Sequence, residues 1–287
     1  MATVKPSIIA TLATGAVIQD LLIFFTSLQV FNATPPTVYL FCDRQIGAAV
    51  AAIKYPGRIV QKVCLDAYTG LNRAAMEKLP GKKYSSLFFD FTMEKVALMK
   101  WVLGEAGASA LFCDADICFL GPLPDIPVGK TLGLSRHMIR QRDEDRYGKY
   151  NAGFMWFSDK ATIDAWEVAC GTSRFFEQAA LEDIALAAGD GLYEFPMNHN
   201  YGWWRMWQGT RSVEELQAEW SINRAKGGCG IVLGGGIPLC SVHTHFHERG
   251  DAVTKMFNAW VISWLTRVST AHEPSRRFLK LSGIHKI

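Results

Sequence analysis

The sequence predicts an α/β protein with a mostly parallel central sheet that is flanked by helices. Apolar runs of strand length alternate with segments of helical periodicity along the first half of the chain, as expected for βαβ units. One of these runs, residues 109–113, is wholly apolar, which is typical of strands covered by helices on both faces of a sheet. The chain has 287 residues, of which 49% are hydrophobic, and can therefore bury a large core.

The N-terminal segment predicts a strand, a helix and two further strands. Residues 7–14 form an apolar run that Gly15 interrupts, and they predict a buried strand. Residues 16–31 carry apolar side chains at helical spacing and predict a helix. Residues 37–42 and 59–65 predict the second and third strands, so this segment forms the beginning of a parallel sheet.

The middle of the chain continues this alternation. A helix is predicted over residues 92–106, and a strand over residues 109–113. Two further strands are predicted over residues 131–135 and 152–157. Between them, residues 136–150 mix arginines with acidic residues and predict a long charged loop. Loops of that length inside a compact domain are often functional.

The C-terminal half has a less regular pattern. Helices are predicted over residues 161–170 and 178–188, and a late strand over residues 239–246. Residues 251–271 predict an amphipathic helix with large apolar side chains along one side. Neither an internal repeat nor a linker interrupts the chain, so we predict one domain over residues 1–287.

Composition and cysteine spacing restrict the class of protein. The 30 basic and 27 acidic residues leave a formal net charge of +3, which does not indicate a nucleic-acid-binding protein. Seven cysteines without a CxxC spacing indicate neither a disulfide framework nor a zinc site, and they favour a cytoplasmic protein. Polar residues interrupt the apolar segment 8–31, so it predicts no membrane span. For the C-terminal helix with Trp260 and Trp264, packing on the domain is favoured over contact with a membrane surface.

The pair Asp114 and Asp116, separated by Ala115, directly follows the apolar strand 109–113. Side chains two positions apart in an extended segment point to the same side, so both carboxylates can reach one cation. Mg²⁺ and Mn²⁺ prefer oxygen ligands and often complete their shell with substrate phosphates. Ligands of open α/β sheets bind at the carboxyl ends of strands, where this pair is predicted to lie. The alternative is a solvated acidic turn.

Three histidines, His243, His245 and His247, occupy alternate positions in the predicted late strand. Alternate residues share one face of a strand, and an imidazole there can supply a third protein ligand beside two carboxylates. We predict that one of these histidines completes a metal site with Asp114 and Asp116. The alternative is a surface strand whose histidines are only solvated.

Three more segments combine polar groups with features of a sugar site. Asn151-Ala152-Gly153 offers amide groups to a sugar hydroxyl and allows close approach of the backbone. Glu182 and Asp183 enter a predicted helix, where they are either first-turn acids that suit the helix dipole or acids that face a reacting sugar. Residues 198–204 are rich in Asn and Trp and predict either a carbohydrate contact or buried core.

Taken in order, these motifs resemble the GT-A glycosyltransferases. The resemblance is strongest to the retaining group that includes glycogenin and related galactosyltransferases, and it extends over about residues 11–247. It implies the GT-A fold of nucleotide-diphospho-sugar transferases. Residues up to about 135 are then expected to bind the donor, and residues from about 136 to 250 to bind the acceptor and complete the metal site. The helix 251–271 follows.

The resemblance also implies a role for each motif. Thr92-Met93-Glu94-Lys95 matches the group's Thr-x-x-Lys, whose lysine contacts the donor. The residues implied to bind the nucleotide-sugar donor are Ala13, Thr14, Gly15, Lys95, Asp114, Ala115, Asp116, Asn151, Ala152 and Gly153. The first three are expected beside the nucleoside base and the last three beside the donor sugar. The implied ligands of Mn²⁺ or Mg²⁺ are Asp114, Asp116 and either His243 or His245.

Two positions depart from the pattern of the group. Glu182 and Asp183 stand where the group has Asp-Gln, so either is predicted as the catalytic acid that faces the sugar as nucleophile, base or hydroxyl anchor. After the late histidines, Arg249 stands in for the group's lysine, although arginine and lysine bind phosphate differently.

The sequence therefore predicts a metal-dependent glycosyltransferase. The expected donor is a nucleoside diphosphate sugar, with UDP favoured, and the acceptor is a carbohydrate, a glycan or a protein. Retention of configuration is expected from the resemblance. One alternative is a sugar nucleotidyltransferase, which usually carries a basic glycine-rich loop that Thr14-Gly15-Ala16 matches poorly. The other is a non-catalytic protein that binds nucleotide-sugars.

Overall fold

The computed structural model describes residues 2–224, 229–248 and 250–286. Within these ranges the strands are β1 (Thr3–Val4), β2 (Ile8–Ala13), β3 (Thr37–Cys42), β4 (Ile59–Val63), β5 (Ala110–Cys113), β6 (Ile117–Phe119), β7 (Ile126–Pro127), β8 (Leu132–Arg136), β9 (Tyr150–Phe157), β10 (Leu192–Phe195), β11 (Tyr201–Gly202), β12 (Ser221–Asn223), β13 (Gly230–Leu233), β14 (Ile237–Pro238) and β15 (Ser241–His243). The helices are α1 (Ile18–Phe31), α2 (Arg44–Val50), α3 (Arg73–Lys78), α4 (Leu87–Ala106), α5 (Gln141–Tyr147), α6 (Lys160–Cys170), α7 (Phe176–Ala179), α8 (Leu181–Ala188), α9 (Arg205–Gln208), α10 (Val213–Glu219), α11 (Ala252–Ser269) and α12 (Glu273–Ser282).

Seven strands form the central sheet in the order β10-β8-β9-β5-β2-β3-β4. Strands β5, β2, β3 and β4 pair in parallel, as do β10 and β8. Only β9 runs antiparallel to its neighbours in this sheet. The predicted mostly parallel sheet is therefore confirmed. Because parallel strands end at one edge, β2, β3 and β5 bring their carboxyl ends together.

Alternate residues of the central strands face two apolar layers. Ala10 and Leu12 of β2 belong to the layer that α4, α6 and α8 cover. Ile9 and Ala13 face the opposite layer, which α1 and α2 cover. Burial on both faces explains why the strands are apolar at nearly every position. A third apolar cluster lies beneath α11 and α12, where Phe257 is fully buried.

Helix α4 begins at Leu87, earlier than the predicted start at residue 92. The Ser86 side chain accepts a hydrogen bond from the backbone N–H of Phe89 (3.2 Å) and caps the N-terminus. Gly107, with a φ of +60°, ends the helix in the left-handed conformation that glycine adopts without strain. The first turn has three adjacent apolar residues followed by the acidic Asp90, so helical periodicity alone does not reveal it.

Two predicted segments differ from the structure. The charged loop predicted over residues 136–150 contains helix α5, which is stabilised by polar pairs at helical spacing such as Gln141 Nε2 with Asp145 Oδ1 (2.8 Å). The strand predicted over residues 239–246 is shortened to β15. One further backbone hydrogen bond, from the N–H of Thr244 to the carbonyl oxygen of Asp116 (3.1 Å), continues the register of this strand beyond His243.

The C-terminal region packs on the rest of the domain. Helix α11 buries Phe257, Val261 and Leu265, as predicted for one apolar side. Helix α12, which the sequence analysis did not predict, has Pro274 in its first turn and Gly283 at its end. Among the described residues, no helix combines the length and apolar character needed to cross a lipid bilayer.

A small sheet of order β11-β15-β6 follows the end of β5. Strand β15 pairs antiparallel with β6, so that His243 lies opposite Ile117. Strand β11 runs parallel to β15 on its other side, with Gly202 opposite His243. The backbone N–H of Phe119 donates to Ser27 of α1 (3.0 Å), which fixes β6 against the domain. This sheet therefore carries the late histidine to the end of β5.

Candidate active site

Asp114 and Asp116 lie in a turn between β5 and β6. The backbone N–H of Ile117 donates to the carbonyl oxygen of Asp114 (3.1 Å) and closes the turn. The N–H of Asp114 donates to the carbonyl oxygen of Gly153 in β9 (2.9 Å). The prediction assumed an extended segment, whereas the turn brings the two carboxylates together. The intervening Ala115 is buried.

His243 joins these two aspartates in one cluster. Its Nε2 lies 3.0 Å from Oδ2 of Asp116 and 3.9 Å from Oδ2 of Asp114. One ligand atom from each of the three residues lies within 4.8 Å of the other two. The structure thus brings together carboxylate and imidazole groups from two segments that are distant in the sequence.

His245 occupies a different position from His243. Its Nδ1 lies 2.9 Å from Oδ2 of Asp20, and its Nε2 lies 3.4 Å from Oδ2 of Asp116. The negative charge of Asp116, with that of Asp20, raises the pKa of His245 to about 10. A protonated His245 therefore bridges two acids. Among the described contacts, none joins His247 to the aspartates, and Arg249 lies outside the described residues.

The two aspartates respond differently to the charges around them. Burial raises the pKa of the Asp114 carboxyl despite the attraction of Lys95, and the neighbouring Asp116 adds to this rise. Burial alone would also raise the pKa of Asp116, but His243 and His245 outweigh it and hold the pKa well below its usual value. Asp116 is therefore the more firmly ionised of the pair.

Lys95 of α4 supports the cluster from within the domain. Its ammonium group contacts Asp114 Oδ1, Glu177 Oε1 and the carbonyl oxygen of Ala152, each at 3.1 Å. These contacts use all three proton donors of the ammonium group. Burial would lower the pKa of Lys95, but Asp114 and Glu177 raise it above its usual value. The buried lysine therefore stays charged and holds Asp114 in place.

Glycine at position 153 makes room for the cluster. A Cβ atom there would lie 2.5 Å from Cε1 of His243 and 2.6 Å from Oδ2 of Asp114. Both distances are shorter than real carbon contacts. The segment Asn151-Ala152-Gly153 thus lies inside β9 against the aspartates, and its glycine is a packing requirement of the site.

A directional hydrogen-bond network begins at Asn151. The backbone N–H of Gly153 donates to Asn151 Oδ1 (3.0 Å), which identifies that atom as the oxygen. Asn151 Nδ2 then donates to His137 Nε2 (3.1 Å), so His137 carries its proton on Nδ1 and donates to the carbonyl oxygen of Gly148 (3.0 Å). Sequence analysis did not identify His137, because nothing in its local sequence sets it apart from the charged segment around it.

The network continues from Asn151 to His243 through Asn200. Asn200 Nδ2 donates to Asn151 Oδ1 (3.0 Å) and to Ser135 Oγ (3.1 Å). Asn200 Oδ1 therefore faces Nδ1 of His243 (2.8 Å), which must donate a proton. Consequently, Nε2 is the histidine nitrogen directed at the aspartates. Asn200 is fully buried with a φ of +55°, so within the segment 198–204 it supports the cluster from inside the protein.

The segment from Ala13 to Gly15 lies at the carboxyl end of β2. Ala13 and Thr14 are buried, and the N–H of Gly15 donates to Asp43 Oδ2 (2.9 Å) at the end of β3. A Cβ atom on Gly15 would lie within 2 Å of the Gln45 side-chain oxygen, at 1.9 Å. These residues lie at the sheet edge where ligands of α/β proteins bind. Their contact with a nucleoside base stays a prediction.

Glu182 and Asp183 lie in the first turn of α8. Glu182 accepts hydrogen bonds from Arg174 Nη1 (2.6 Å) and from the backbone N–H of Lys149 (2.8 Å), and Asp183 is exposed. Among the described contacts, none joins either residue to Asp114 or Asp116. Their catalytic role stays a prediction. The acid of this region that is linked to the cluster is Glu177, through Lys95, and the sequence analysis did not single it out.

A cavity of about 330 Å³ lies beside α4, and Tyr68, Asp90 and Glu94 are among its lining residues. None of the cluster residues lines it. The Tyr68 hydroxyl donates to Glu94 Oε1 (3.1 Å), and burial raises the pKa of this carboxyl. The candidate active site is therefore identified from the charged groups that converge at Asp114 and Asp116, and not from this cavity.

No protein-family model matches the chain, and no curated protein matches its sequence. Among solved structures, galactosyltransferase LgtC in complex with donor and acceptor sugar analogs matches with a TM-score of 0.54 and 16% identity, over 96% of this chain and 95% of that chain. Mouse xyloside xylosyltransferase 1 in its apo form matches with a TM-score of 0.46 and 12% identity, over 69% of this chain and 88% of that chain. Glycosyltransferase GlyE of Streptococcus pneumoniae TIGR4 matches with a TM-score of 0.44 and 14% identity, over 69% of this chain and 47% of that chain.

The likeness to LgtC extends over nearly the whole length of both chains. It shows that this chain has the fold of the GT-A glycosyltransferases, and the fold class predicted from the sequence is confirmed. At this level of sequence identity the likeness concerns the fold. The chain spans about half the length of GlyE.

Replacement of Gly153 by alanine is expected to destabilise the protein by about 1–3 kcal/mol, because the added methyl group overpacks His243 and Asp114. The matched control is Gly104→Ala in α4, where no atom lies within 4 Å of the new Cβ. That change is expected to stabilise the helix by about 0.5–1 kcal/mol. Urea unfolding of both variants measures the difference. Equal stability of Gly153→Ala and the wild type would contradict the packing account.

The stability of the protein is expected to fall as the pH drops from about 6.5 to about 4. Burial lowers the pKa of His137 to about 4, so between these values the unfolded chain binds a proton that the folded chain does not. His199 acts in the same direction. In His137→Asn the slope of unfolding free energy against pH should decrease by up to about 1.4 kcal/mol per pH unit. An unchanged slope would contradict a lowered pKa of His137 in the folded protein.

Proposed function

We propose that the protein is a metal-dependent glycosyltransferase that moves a sugar from a nucleoside diphosphate sugar, first of all a UDP-sugar, to a carbohydrate, glycan or protein acceptor. The observation that carries the proposal is the convergence of Asp114, Asp116 and His243 at the end of β5. This cluster lies at the sheet edge where α/β proteins bind ligands, in a fold shared with a galactosyltransferase. In this proposal residues up to about 135 bind the donor, and those from about 136 to 250 bind the acceptor.

The chemistry of the cluster suits Mn²⁺ or Mg²⁺. Asp114 and Asp116 supply the oxygen ligands that both ions prefer, and His243 adds an imidazole nitrogen. The bond from His243 to Asn200 directs Nε2 at two acids, so a positive charge, either a proton or a metal ion, is required between them. A divalent ion bound there would neutralise the charge that develops on the diphosphate as its bond to the sugar breaks.

The protein's own residues prepare this site before the donor arrives. Lys95 fixes Asp114, Asn200 orients His243, and Gly153 lets both side chains approach the backbone. Preorganised charges of this kind need no rearrangement during the reaction. Because all three protons of Lys95 have partners, the predicted contact of Lys95 with a donor phosphate would replace one of them.

The sugar-facing acid is proposed among the residues near the start of α8. Glu182 and Asp183 remain the candidates for nucleophile, base or hydroxyl anchor in a retaining reaction. Before Glu182 could contact the sugar, it would have to break its ion pair with Arg174 (2.6 Å). The neighbouring helix α5 contributes to this arrangement, because Arg174 also donates to the carbonyl oxygens of Glu144 and Asp145. A movement of α5 would therefore change the contacts of Glu182.

Asp116→Asn is expected to lower Mn²⁺-dependent release of UDP from a UDP-sugar at least about 100-fold, because the metal contributes several kcal/mol to stabilising the leaving group. The matched control is Asp190→Asn, because Asp190 is an exposed acid outside the cluster. This variant is expected to turn over the UDP-sugar at the wild-type rate. The assay screens UDP-sugars with and without Mn²⁺ and identifies the nucleotide product. Wild-type turnover by Asp116→Asn would contradict the proposal. Pyrophosphate release would instead indicate a nucleotidyltransferase, and UDP binding without turnover a binding protein.

Asn200→Ala is expected to weaken Mn²⁺ binding about 10–100-fold, because the residue fixes which nitrogen of His243 faces the aspartates. Asn198→Ala is the matched control. It removes another buried asparagine of the same segment, whose described side-chain bonds go to Pro238 and Cys240. Electron paramagnetic resonance of free Mn²⁺ measures both affinities without an activity assay. Equal affinity of Asn200→Ala and the wild type would show that His243 needs no such orientation.

A further inference from the structure

Trp207 of α9 is an exposed indole in a protein that otherwise covers its tryptophans. It is 57% exposed. The other tryptophans, all of which lie within the described residues, are buried or partly buried. Single exposed aliphatic side chains are normal on protein surfaces, but an exposed indole leaves a large and rigid apolar face in water. Such a face is a candidate contact for a ligand.

Trp203 lies beside Trp207 in nearly the same orientation. The two ring centres are 6.4 Å apart, and the ring planes differ by 8°. Trp203 is partly buried and packs against the apolar cluster beneath α11 and α12, so it joins the exposed ring to the core. Among the described contacts, no basic side chain lies over either ring, whereas Arg267 covers the ring of Trp264 (4.2 Å). We call Trp203 and Trp207 the tryptophan pair.

Backbone hydrogen bonds hold the tryptophan pair in place. The N–H of Trp207 donates to the carbonyl oxygen of Trp204 (3.0 Å), and the carbonyl oxygen of Trp207 accepts from Arg140 Nη2 (3.1 Å). The N–H of Trp203 donates to the carbonyl oxygen of His243 (3.4 Å). The backbone that carries the pair is therefore fixed before a ligand arrives, which lowers the entropic cost of binding.

The tryptophan pair lies next to the candidate metal site. In the small sheet β11-β15-β6, His243 ends the middle strand, β6 follows the aspartates on one side, and Trp203 follows β11 on the other side. The buried ring of Trp204 lies between them, with its centre 5.0 Å from that of His243 and 6.5 Å from that of Trp203. One buried side chain thus separates the pair from the metal cluster.

A sugar ring suits this surface. One face of a pyranose ring often presents mainly C–H groups, whose hydrogens carry a small positive charge, and the face of an indole ring is negative. Stacking also removes apolar area of both rings from water. A nucleoside base could stack on an indole too, but its predicted contacts, residues 13–15, lie at the end of β2 in the central sheet. Position therefore favours the acceptor over the donor.

We propose that the tryptophan pair binds a pyranose ring of the acceptor, with the exposed face of Trp207 as the main contact. This inference rests on the proposed transferase function and extends it, because it identifies the acceptor as a carbohydrate. Since Trp204 separates the pair from His243, the stacked ring lies beside the reacting centre and not at it. The acceptor then has at least two sugar rings, one that stacks and one that carries the attacking hydroxyl group.

Saturation-transfer difference NMR of the full chain with lactose, cellobiose and maltose tests this contact. EDTA is present, so neither a metal nor catalysis contributes. At least one disaccharide is expected to bind saturably in the millimolar range, with the strongest saturation on C–H protons of one ring face. Trp207→Ala should weaken this binding about tenfold, which corresponds to about 1.4 kcal/mol of lost stacking. Trp207→Phe keeps an aromatic face and should stay within about threefold of the wild type.

Two controls belong to this experiment. Val168→Ala removes an exposed apolar side chain of α6, and wild-type affinity is expected. Sorbitol offers hydroxyl groups without a ring face, and no saturable binding is expected. Because Trp207 is exposed, Trp207→Ala should keep the fold, which circular dichroism verifies.

Three results would overturn the proposal. If no disaccharide binds saturably, or if sorbitol binds as tightly, the protein does not recognise a sugar face. Equal disaccharide affinities of the wild type and Trp207→Ala would place the sugar elsewhere. A loss of UDP affinity in Trp207→Ala with Mn²⁺ present, together with unchanged disaccharide affinity, would assign the indole to the nucleoside base.

The proposed function is judged separately, from release of UDP by the wild type. Disaccharide binding that depends on Trp207, without any UDP release from UDP-sugars, would remove the transferase and keep the sugar contact. UDP release by the wild type, with disaccharide binding that does not depend on Trp207, would keep the transferase and contradict the sugar contact.

Discussion

Two carboxylates of like charge share one mostly enclosed space in this protein, and the surrounding side chains make that arrangement stable. Lys95 neutralises Asp114 from the interior, while His243 and His245 face Asp116 from the other side. Removing one partner of a buried ion pair typically costs about 3–5 kcal/mol, because the remaining charge is left uncompensated. The cluster is therefore a single electrostatic unit, and Glu177 belongs to it through Lys95.

The fold assembles this unit from five distant parts of the chain, of which α7 supplies Glu177. Helix α4 supplies the lysine, the β5–β6 turn supplies the aspartates, β9 supplies the glycine, and β15 supplies the histidine. The parallel sheet gathers strand ends at one edge, and the small sheet β11-β15-β6 adds the late histidine to that edge.

Much of the architecture was predictable because a strand that is buried on both faces is apolar at nearly every position. Strands β2, β3 and β5 appear as apolar runs, and the aspartates stand out where such a run ends. The combination of Asp114 and Asp116 with a late histidine was predictable, but the choice between His243 and His245 was not. Helix α5 was not, since its seven charged and polar residues have no apolar periodicity. Helix α4 was predicted too short because residues 87–91, which are apolar except for Asp90, show no helical periodicity.

The supporting residues were not predictable, because their roles arise from hydrogen bonds between positions far apart in the chain. Asn200 and His243 are 43 residues apart, and Lys95 and Ala152 are 57 apart. The choice between His243 and His245 likewise depends on Asp20, which lies 225 residues before His245 and occupies its Nδ1. Neither spacing nor residue type reveals such partners.

Anomalous diffraction from crystals soaked with MnCl₂ and UDP tests the central claim most directly. The account predicts one manganese peak within bonding distance of carboxylate oxygens of Asp114 and Asp116 and of Nε2 of His243. A manganese ion bound elsewhere, or none at this cluster while UDP is bound, would contradict the claim that these three residues form a metal site.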